Sequence, residues 1–215
     1  VPRLSTIQTP HLTLRPLKAA DAVALHRIYQ TEGLLRYFPD PNPPQIKRVE
    51  RFVAGQQEHW QKFGYGNWGI LPVENQETQA SSVVRNGIPH TDHLAGFHPA
   101  PQSMSSGRRQ EIIGWAGLQF LPELNEIEVG YLLDQPFWGK GYATEAARAS
   151  LRFGFEHFGF PRMIALVHPE NIASRRVIEK CGMRYEKTIS IWGVELMRHS
   201  VDRISFMTWN AKEIP

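Results

Sequence analysis

The chain has 215 residues, 41% apolar and 21% charged, and its six Trp and eleven Phe supply bulk for one domain with a substantial core rather than a disordered chain. A net charge of +3 without a dense Lys/Arg run or finger spacing excludes the usual signatures of nucleic-acid binding, while the mild basic excess suits an anionic ligand. A lone cysteine, Cys181, excludes an intrachain disulfide framework, no apolar run is long enough to span a membrane, and residues 1–10 lack a charged-then-apolar secretory pattern, so a cytoplasmic monomer or homodimer with neither membrane nor nucleic-acid partner is expected.

Residues 11–17 alternate and read as a strand. Residues 19–30 carry Ala22, Leu25, Ile28 and Tyr29 at helical spacing. The breaker Asp40-Pro41-Asn42-Pro43-Pro44 precedes a second helix over 45–62, with Val49, Phe52, Val53 and Trp60 as its buried stripe. Residues 66–73 are strand-like. Gly, Pro, Ser, Asn, Gln and His dominate 74–110, which reads as a long loop or insertion within a single domain over 1–215. His90, His93 and His98 fall there without Cys or acidic partners at diagnostic spacing, so no metal is expected. Strands over 112–121 and 126–133 follow, joined near Pro122. A helix over 141–158 places Ala147, Leu151, Phe155 and Phe158 along one face. A short strand at 163–167 leads to a helix capped by Asn171 and ended by Gly182. Strands over 184–191 and 200–209 close a mixed α/β order.

The most informative stretch runs from Ile127 through Asp134 to Ala146, where a strand enters a glycine-rich turn that opens a helix. Gly139 and Gly141 allow unusual dihedrals and close approach of a ligand. Free amides at a helix start, with the dipole behind them, favour phosphate oxygens, and pyrophosphate is the obvious guest; a plain tight turn is the alternative. Two named motifs fail. A P-loop needs Gly-Lys-Ser/Thr, but Gly141 follows Lys140, and Thr144 occupies the place of the third glycine of a dinucleotide fingerprint.

The run Trp138-Gly139-Lys140-Gly141-Tyr142-Ala143-Thr144-Glu145-Ala146 resembles the acyl-coenzyme-A loop of the GNAT superfamily of acetyltransferases, closest to the branch that acetylates ribosomal-protein N-termini (RimJ/RimL-like). Residues 167–183, with Asn171, Ser174 and Gly182-Met183, are similar to the family's second motif, and Leu12-Thr13-Leu14-Arg15-Pro16-Leu17 to the branch's opening strand. The resemblance covers 111–209 specifically and 8–73 more weakly, and it leaves 74–110 unaccounted for. It implies a central, mostly antiparallel twisted sheet of about six or seven strands flanked by about four helices. It also implies acetyl-CoA as cosubstrate and an amine as acceptor, on a protein N-terminus or on a small molecule. A non-catalytic acyl-CoA-binding sensor is the rival from another class.

The same resemblance implies roles for residues. Tyr131, Leu132 and Leu133 would pair with the pantetheine arm through their backbone, and Gly130 would form a bulge that frees an amide, with packing as the alternative. Trp138 opens the cofactor loop, amides of Gly139, Lys140, Gly141, Tyr142, Ala143 and Thr144 would hold the pyrophosphate, and the Lys140 side chain would lie near the phosphates, with a merely solvated lysine as the alternative. Asn171 would bond the arm, and Ser174 or Tyr185 would protonate the leaving thiolate; ordinary helix capping by Asn171 and Ser174, and a core place for Tyr185, are the alternatives. An acceptor amine of pKa roughly 8 to 10 must lose a proton to attack. Glu126 and Glu128 share one strand face, and Glu128 matches the family's acidic position, making it the candidate general base against a plain solvated carboxylate.

Overall fold

A computed structural model describes residues 5–73 and 111–210, so the loop expected over 74–110, with its three histidines, lies outside the described residues. In chain order the elements are β1 (Ile7–Gln8), β2 (Leu12–Pro16), α1 (Asp21–Tyr29), α2 (Ile46–Phe63), β3 (Asn67–Pro72), β4 (Gly114–Leu121), β5 (Glu126–Leu133), α3 (Tyr142–His157), β6 (Arg162–Val167), α4 (Ile172–Lys180), β7 (Arg184–Ile191), β8 (Val194–Asp202) and α5 (Arg203–Asn210). The strands form one sheet, ordered β1-β2-β3-β4-β5-β6-β8-β7. Every neighbouring pair is antiparallel except β5 and β6, which run parallel.

Successive side chains of a strand point to opposite faces, so the strands feed two cores. Leu12, Leu14, Trp68, Leu118, Val129 and Leu133 meet Ala147, Leu151 and Phe155 of α3, Ile178 of α4 and Phe206 of α5 on one face. Leu71, Ile112 and Leu132 meet Leu25 and Ile28 of α1 and Val49 and Val53 of α2 on the other. Where β3 and β4 cross most closely only glycine fits: a Cβ on Gly117 would lie 2.3 Å from the Gly66 carbonyl oxygen and 2.5 Å from Asn67 Cα.

The C-terminal end departs from expectation. The second late strand begins at Val194, and residues 203–210 are helical rather than extended. Trp192 and Gly193 both have positive φ (53° and 78°), the requirement of a two-residue hairpin turn, so β8 starts immediately after them. Asp202 then starts α5, its Oδ1 accepting the Ser205 amide (2.8 Å) and its Oδ2 the Ser205 hydroxyl (2.7 Å). This helix and the two-residue β1 account for eight strands and five α-helices among the described residues, against six or seven strands and four helices expected.

Candidate functional site

β5 and β6 share one pairing, Glu128 with Ile164. On its other side β5 pairs with β4 along its whole length, from Glu126 opposite Leu121 to Leu133 opposite Gly114. From Val129 to Leu133 the β6-facing backbone groups therefore have no strand partner among the described residues, and a gap opens in the sheet beyond Glu128. No bulge interrupts β5, contrary to the expectation for Gly130, which lies opposite Gly117 in unbroken register. A Cβ there would sit 3.3 Å from Trp115 Cζ3, close enough that the indole would have to shift slightly. The free backbone groups come instead from the missing β6 partner.

Glu128 lies buried at the narrow end of this gap. Its Oε1 accepts the Leu166 amide (3.3 Å) and its Oε2 the Gln119 side-chain amide (2.6 Å). Desolvation outweighs both bonds and pushes its pKa up to about 7. Glu126, two residues earlier on the same face, is differently placed: it pairs with Arg198 and Arg162, which also reach Glu186. The Glu126 carboxylate is thus committed to guanidinium groups, whereas the hydrogen-bond partners of Glu128 are neutral. That contrast makes Glu128 the group able to exchange a proton near neutral pH.

Beyond Leu133 the chain turns back on itself. The Leu133 carbonyl accepts the Trp138 indole N–H (2.8 Å), which ties the glycine turn to the strand end. Gly139 (φ 75°) and Gly141 (φ 82°) are left-handed, and a Cβ on either would meet nothing within 4 Å. Backbone conformation, with open space above it, is therefore what calls for glycine here. Gly141 precedes α3 and supplies no side-chain cap. Glu145 is the first amide with a helical acceptor, the Gly141 carbonyl (3.0 Å), so the amides of Tyr142, Ala143 and Thr144 project from the helix start without one. Lys140 is exposed beside them, its Nζ 5.1 Å from the Phe137 ring centroid. These donors fit a phosphate-bearing anion.

Across the gap, Asn171 caps α4 by accepting the Ser174 amide (3.1 Å). The Ser174 hydroxyl lies 2.7 Å from the Tyr131 hydroxyl, which is also 3.1 Å from the Ser174 carbonyl. Tyr131 thus spans from β5 to α4. Burial raises its pKa above the ordinary phenol value, against the lowering effect of the Ser174 bond. Leu132 and Leu133 bury their side chains in the two cores, leaving only their backbone for a ligand. Tyr185 stands on the outer strand β7, about half exposed (52%), its hydroxyl 3.1 Å from Thr188 Oγ1 and its ring edge-on to His199. Glu128 and Tyr131 thus stand on the β5 side of the gap, Asn171 and Ser174 on α4 meet Tyr131, and Tyr185 stands on the outermost strand.

Several features had no signal in the residue pattern. Tyr37, in the irregular segment between α1 and α2, stacks on His168 just past β6 (centroids 5.1 Å apart). Gln119 could have been placed beside Glu128 only from the hairpin register. Arg148 donates to the Lys180 carbonyl at the end of α4 (3.0 Å from Nε) and lies over the Trp209 ring. Cys181 is buried in the core beside the Thr144 carbonyl. Among the described residues no three His, Cys, Asp or Glu side chains group as a metal site, and no helix is long and apolar enough to cross a membrane.

A sheet parted between two parallel strands, a buried carboxyl at the closed end and an anion-receptive helix start at the open one define a class of mixed α/β fold that can hold an extended ligand between its strands. The chain belongs to the acetyltransferase (GNAT) domain family, whose model matches residues 11–184. It is similar to the uncharacterized protein YkkB of Bacillus subtilis (strain 168), 46% identical over 87 residues that cover 40% of this chain and 51% of that one. It spans about half or less of the length of the first curated relatives it matches. Among solved structures it is similar to an acetyltransferase from Agrobacterium tumefaciens str. C58 (TM-score 0.67, 24% identity, 93% of this chain and 95% of that one). It is also similar to RimL, a ribosomal L7/L12 α-N-protein acetyltransferase in complex with coenzyme A (TM-score 0.65, 16% identity, 92% of this chain and 98% of that one). Such identities speak for the fold alone, and no branch of the family is singled out.

Proposed function

We propose that the protein moves an acetyl group from acetyl-CoA to a primary amine by direct attack, without a covalent enzyme intermediate. The observation that carries the proposal is the buried Glu128 carboxyl, set at the narrow end of the sheet gap with its pKa raised to about 7. Acetyl-CoA supplies the activated acetyl group as a thioester. The amides of Tyr142, Ala143 and Thr144, with Gly139 and Gly141, grip its pyrophosphate, and Trp138 and Lys140 frame that turn. Backbone groups of Tyr131, Leu132 and Leu133 line up the pantetheine arm, which Asn171 also bonds. Glu128, directly or through water, takes the proton of the acceptor amine as its nitrogen attacks the carbonyl carbon. Ser174 hydrogen-bonds the sulfur as the C–S bond breaks, and Tyr185 is the less well-placed candidate for that donor.

The acceptor favoured is the α-amine of a peptide or protein, on the likeness to RimL, which is named an α-N-protein acetyltransferase. A panel of peptides with free N-termini, polyamines and amino acids, assayed by release of free thiol from acetyl-CoA, tests this. Turnover with at least one peptide is expected. Turnover confined to small amines moves the acceptor to that class. Coenzyme A binding without turnover on any amine refutes transfer and leaves a sensor.

A further inference from the structure

The contact between Tyr131 and Ser174 poses a question of proton placement. Tyr131 carries one hydroxyl proton and has two acceptors within reach, Ser174 Oγ at 2.7 Å and the Ser174 carbonyl at 3.1 Å. Ser174 likewise carries one. The short contact holds a single proton, given by one hydroxyl or the other. If Ser174 gives it, the serine proton points at Tyr131, away from any ligand, and the tyrosine proton is left with the carbonyl. At 3.1 Å that is the longer and weaker of the two bonds, on a carbonyl that helix geometry also offers to an amide one turn on. If Tyr131 gives it, one strong bond is made and the serine proton is free to serve a new acceptor. The first arrangement leaves Ser174 an acceptor only; the second makes it a donor.

We propose that Tyr131 is a positioning residue: by donating to Ser174 Oγ it frees the serine O–H to point into the gap and hydrogen-bond the sulfur of coenzyme A, most strongly as thiolate. The inference rests on the acetyl-transfer reading above. Tyr131 is suited to the task because it comes from β5 while Ser174 comes from α4, so the pair closes across the gap instead of along one element. Burial keeps the tyrosine hydroxyl protonated well above the ordinary phenol range, so it remains a donor over any working pH. The chemistry balances without a net proton from the pair. The amine proton passes to Glu128 and then to solvent. The electron pair of the broken C–S bond goes to sulfur, which leaves as a thiolate bonded to Ser174 and takes one proton from solvent on release.

The test reads the bound thiol itself. The far-ultraviolet absorbance of the thiolate is titrated with pH in the complex of the full chain with coenzyme A, for wild type, Tyr131→Phe, Ser174→Ala and the double variant. Calorimetric affinity for coenzyme A and for desulfo-coenzyme A is measured alongside. In wild type the bound thiol titrates at lower pH than that of coenzyme A free in solution. Each single substitution raises it and weakens coenzyme A binding by about tenfold relative to the desulfo analogue, the worth of one hydrogen bond to a charged group. The double variant matches Ser174→Ala, because Tyr131 acts through the serine. In turnover, Tyr131→Phe lowers kcat by about tenfold with KM for acetyl-CoA nearly unchanged. A Tyr131→Phe protein that titrates and turns over like wild type overturns the inference, as does a double variant in which the two effects add. Thiol titrations that behave as described in a protein that acetylates no amine sink the transfer reading alone.

Discussion

Replacing Glu128 with Gln separates charge from shape. Gln119 can turn its amide over and offer its oxygen to the new side-chain nitrogen, and the Leu166 amide keeps its acceptor, so both hydrogen bonds survive. Only the ionisation is lost. The folded-state pKa of about 7 stands above the ordinary carboxyl value of 4.5. The folded chain therefore holds this proton more tightly than the unfolded one. The stability it confers is complete below about pH 4.5 and is lost as pH rises through about 7, a total of ~3 kcal/mol. Urea denaturation at about pH 5 and about pH 8.5 should show the two proteins close together at the lower pH and Glu128→Gln more stable by up to ~3 kcal/mol at the higher. Turnover should move the opposite way. The wild-type rate should climb roughly tenfold per unit below about pH 7 and flatten above it, while Glu128→Gln falls by on the order of a hundredfold or more and loses that limb. Stability curves that run parallel across pH, or a variant that keeps the wild-type rate profile, would refute the placement of a perturbed base in the gap.

Gly141→Asp puts a carboxylate where the pyrophosphate is proposed to sit, in space that a Cβ does not fill. Coenzyme A affinity by calorimetry should fall at least tenfold, roughly 1.4 kcal/mol, with the fold retained. Two alanine substitutions contrast crowding with conformation. Gly117→Ala forces a methyl into the backbone of β3 and should cost ~3 kcal/mol or more in chemical denaturation, whereas Gly139→Ala meets open space and should cost only ~1 kcal/mol for its left-handed φ. Arg198→Ala removes a side chain only 9% exposed that pairs with both Glu126 and Glu186. With Arg162 alone left to serve the two carboxylates, the loss should be ~3 kcal/mol.

The elements that the sequence announced are those whose signals are local. The stripe Ala147, Leu151, Phe155 marked α3, alternation marked β2, and Asn171 with Gly182 bracketed α4 almost to the residue. The run from Trp138 to Ala146 marked the anion-receptive helix start because glycine at positive φ and an uncapped helix leave a trace in residue type. Legibility failed where two distant segments decide the outcome together. A turn built on Trp192 and Gly193 carries no Asn-Gly or Asp-Gly signature, so the start of β8 was missed. Apolar residues after Asp202 suit a strand or a helix equally, and the capping bonds to Ser205 decide between them. The perturbed carboxyl could be named but not explained, since its environment comes from Gln119 and Leu166 on two other strands. Tyr131 could be placed on a strand next to a cofactor, yet its hydroxyl meets a serine 43 residues away, a distance in sequence that no periodicity spans.

The lone bridge between Glu128 and Ile164 also bears on how the crevice is divided. Strand pairing joins the two sheet halves there, and side chains add further ties, Arg198 to Glu126 on one side of it and Tyr131 to Ser174 on the other. The Glu128 carboxyl therefore sits where backbone pairing and its own bond to Leu166 join the halves. On the proposed reading a bulky nucleotide would lie at the other end, near Leu133 and the glycine turn, away from the grip of Glu128 on Gln119 and Leu166. Cargo and proton would then be handled at opposite ends of one crevice.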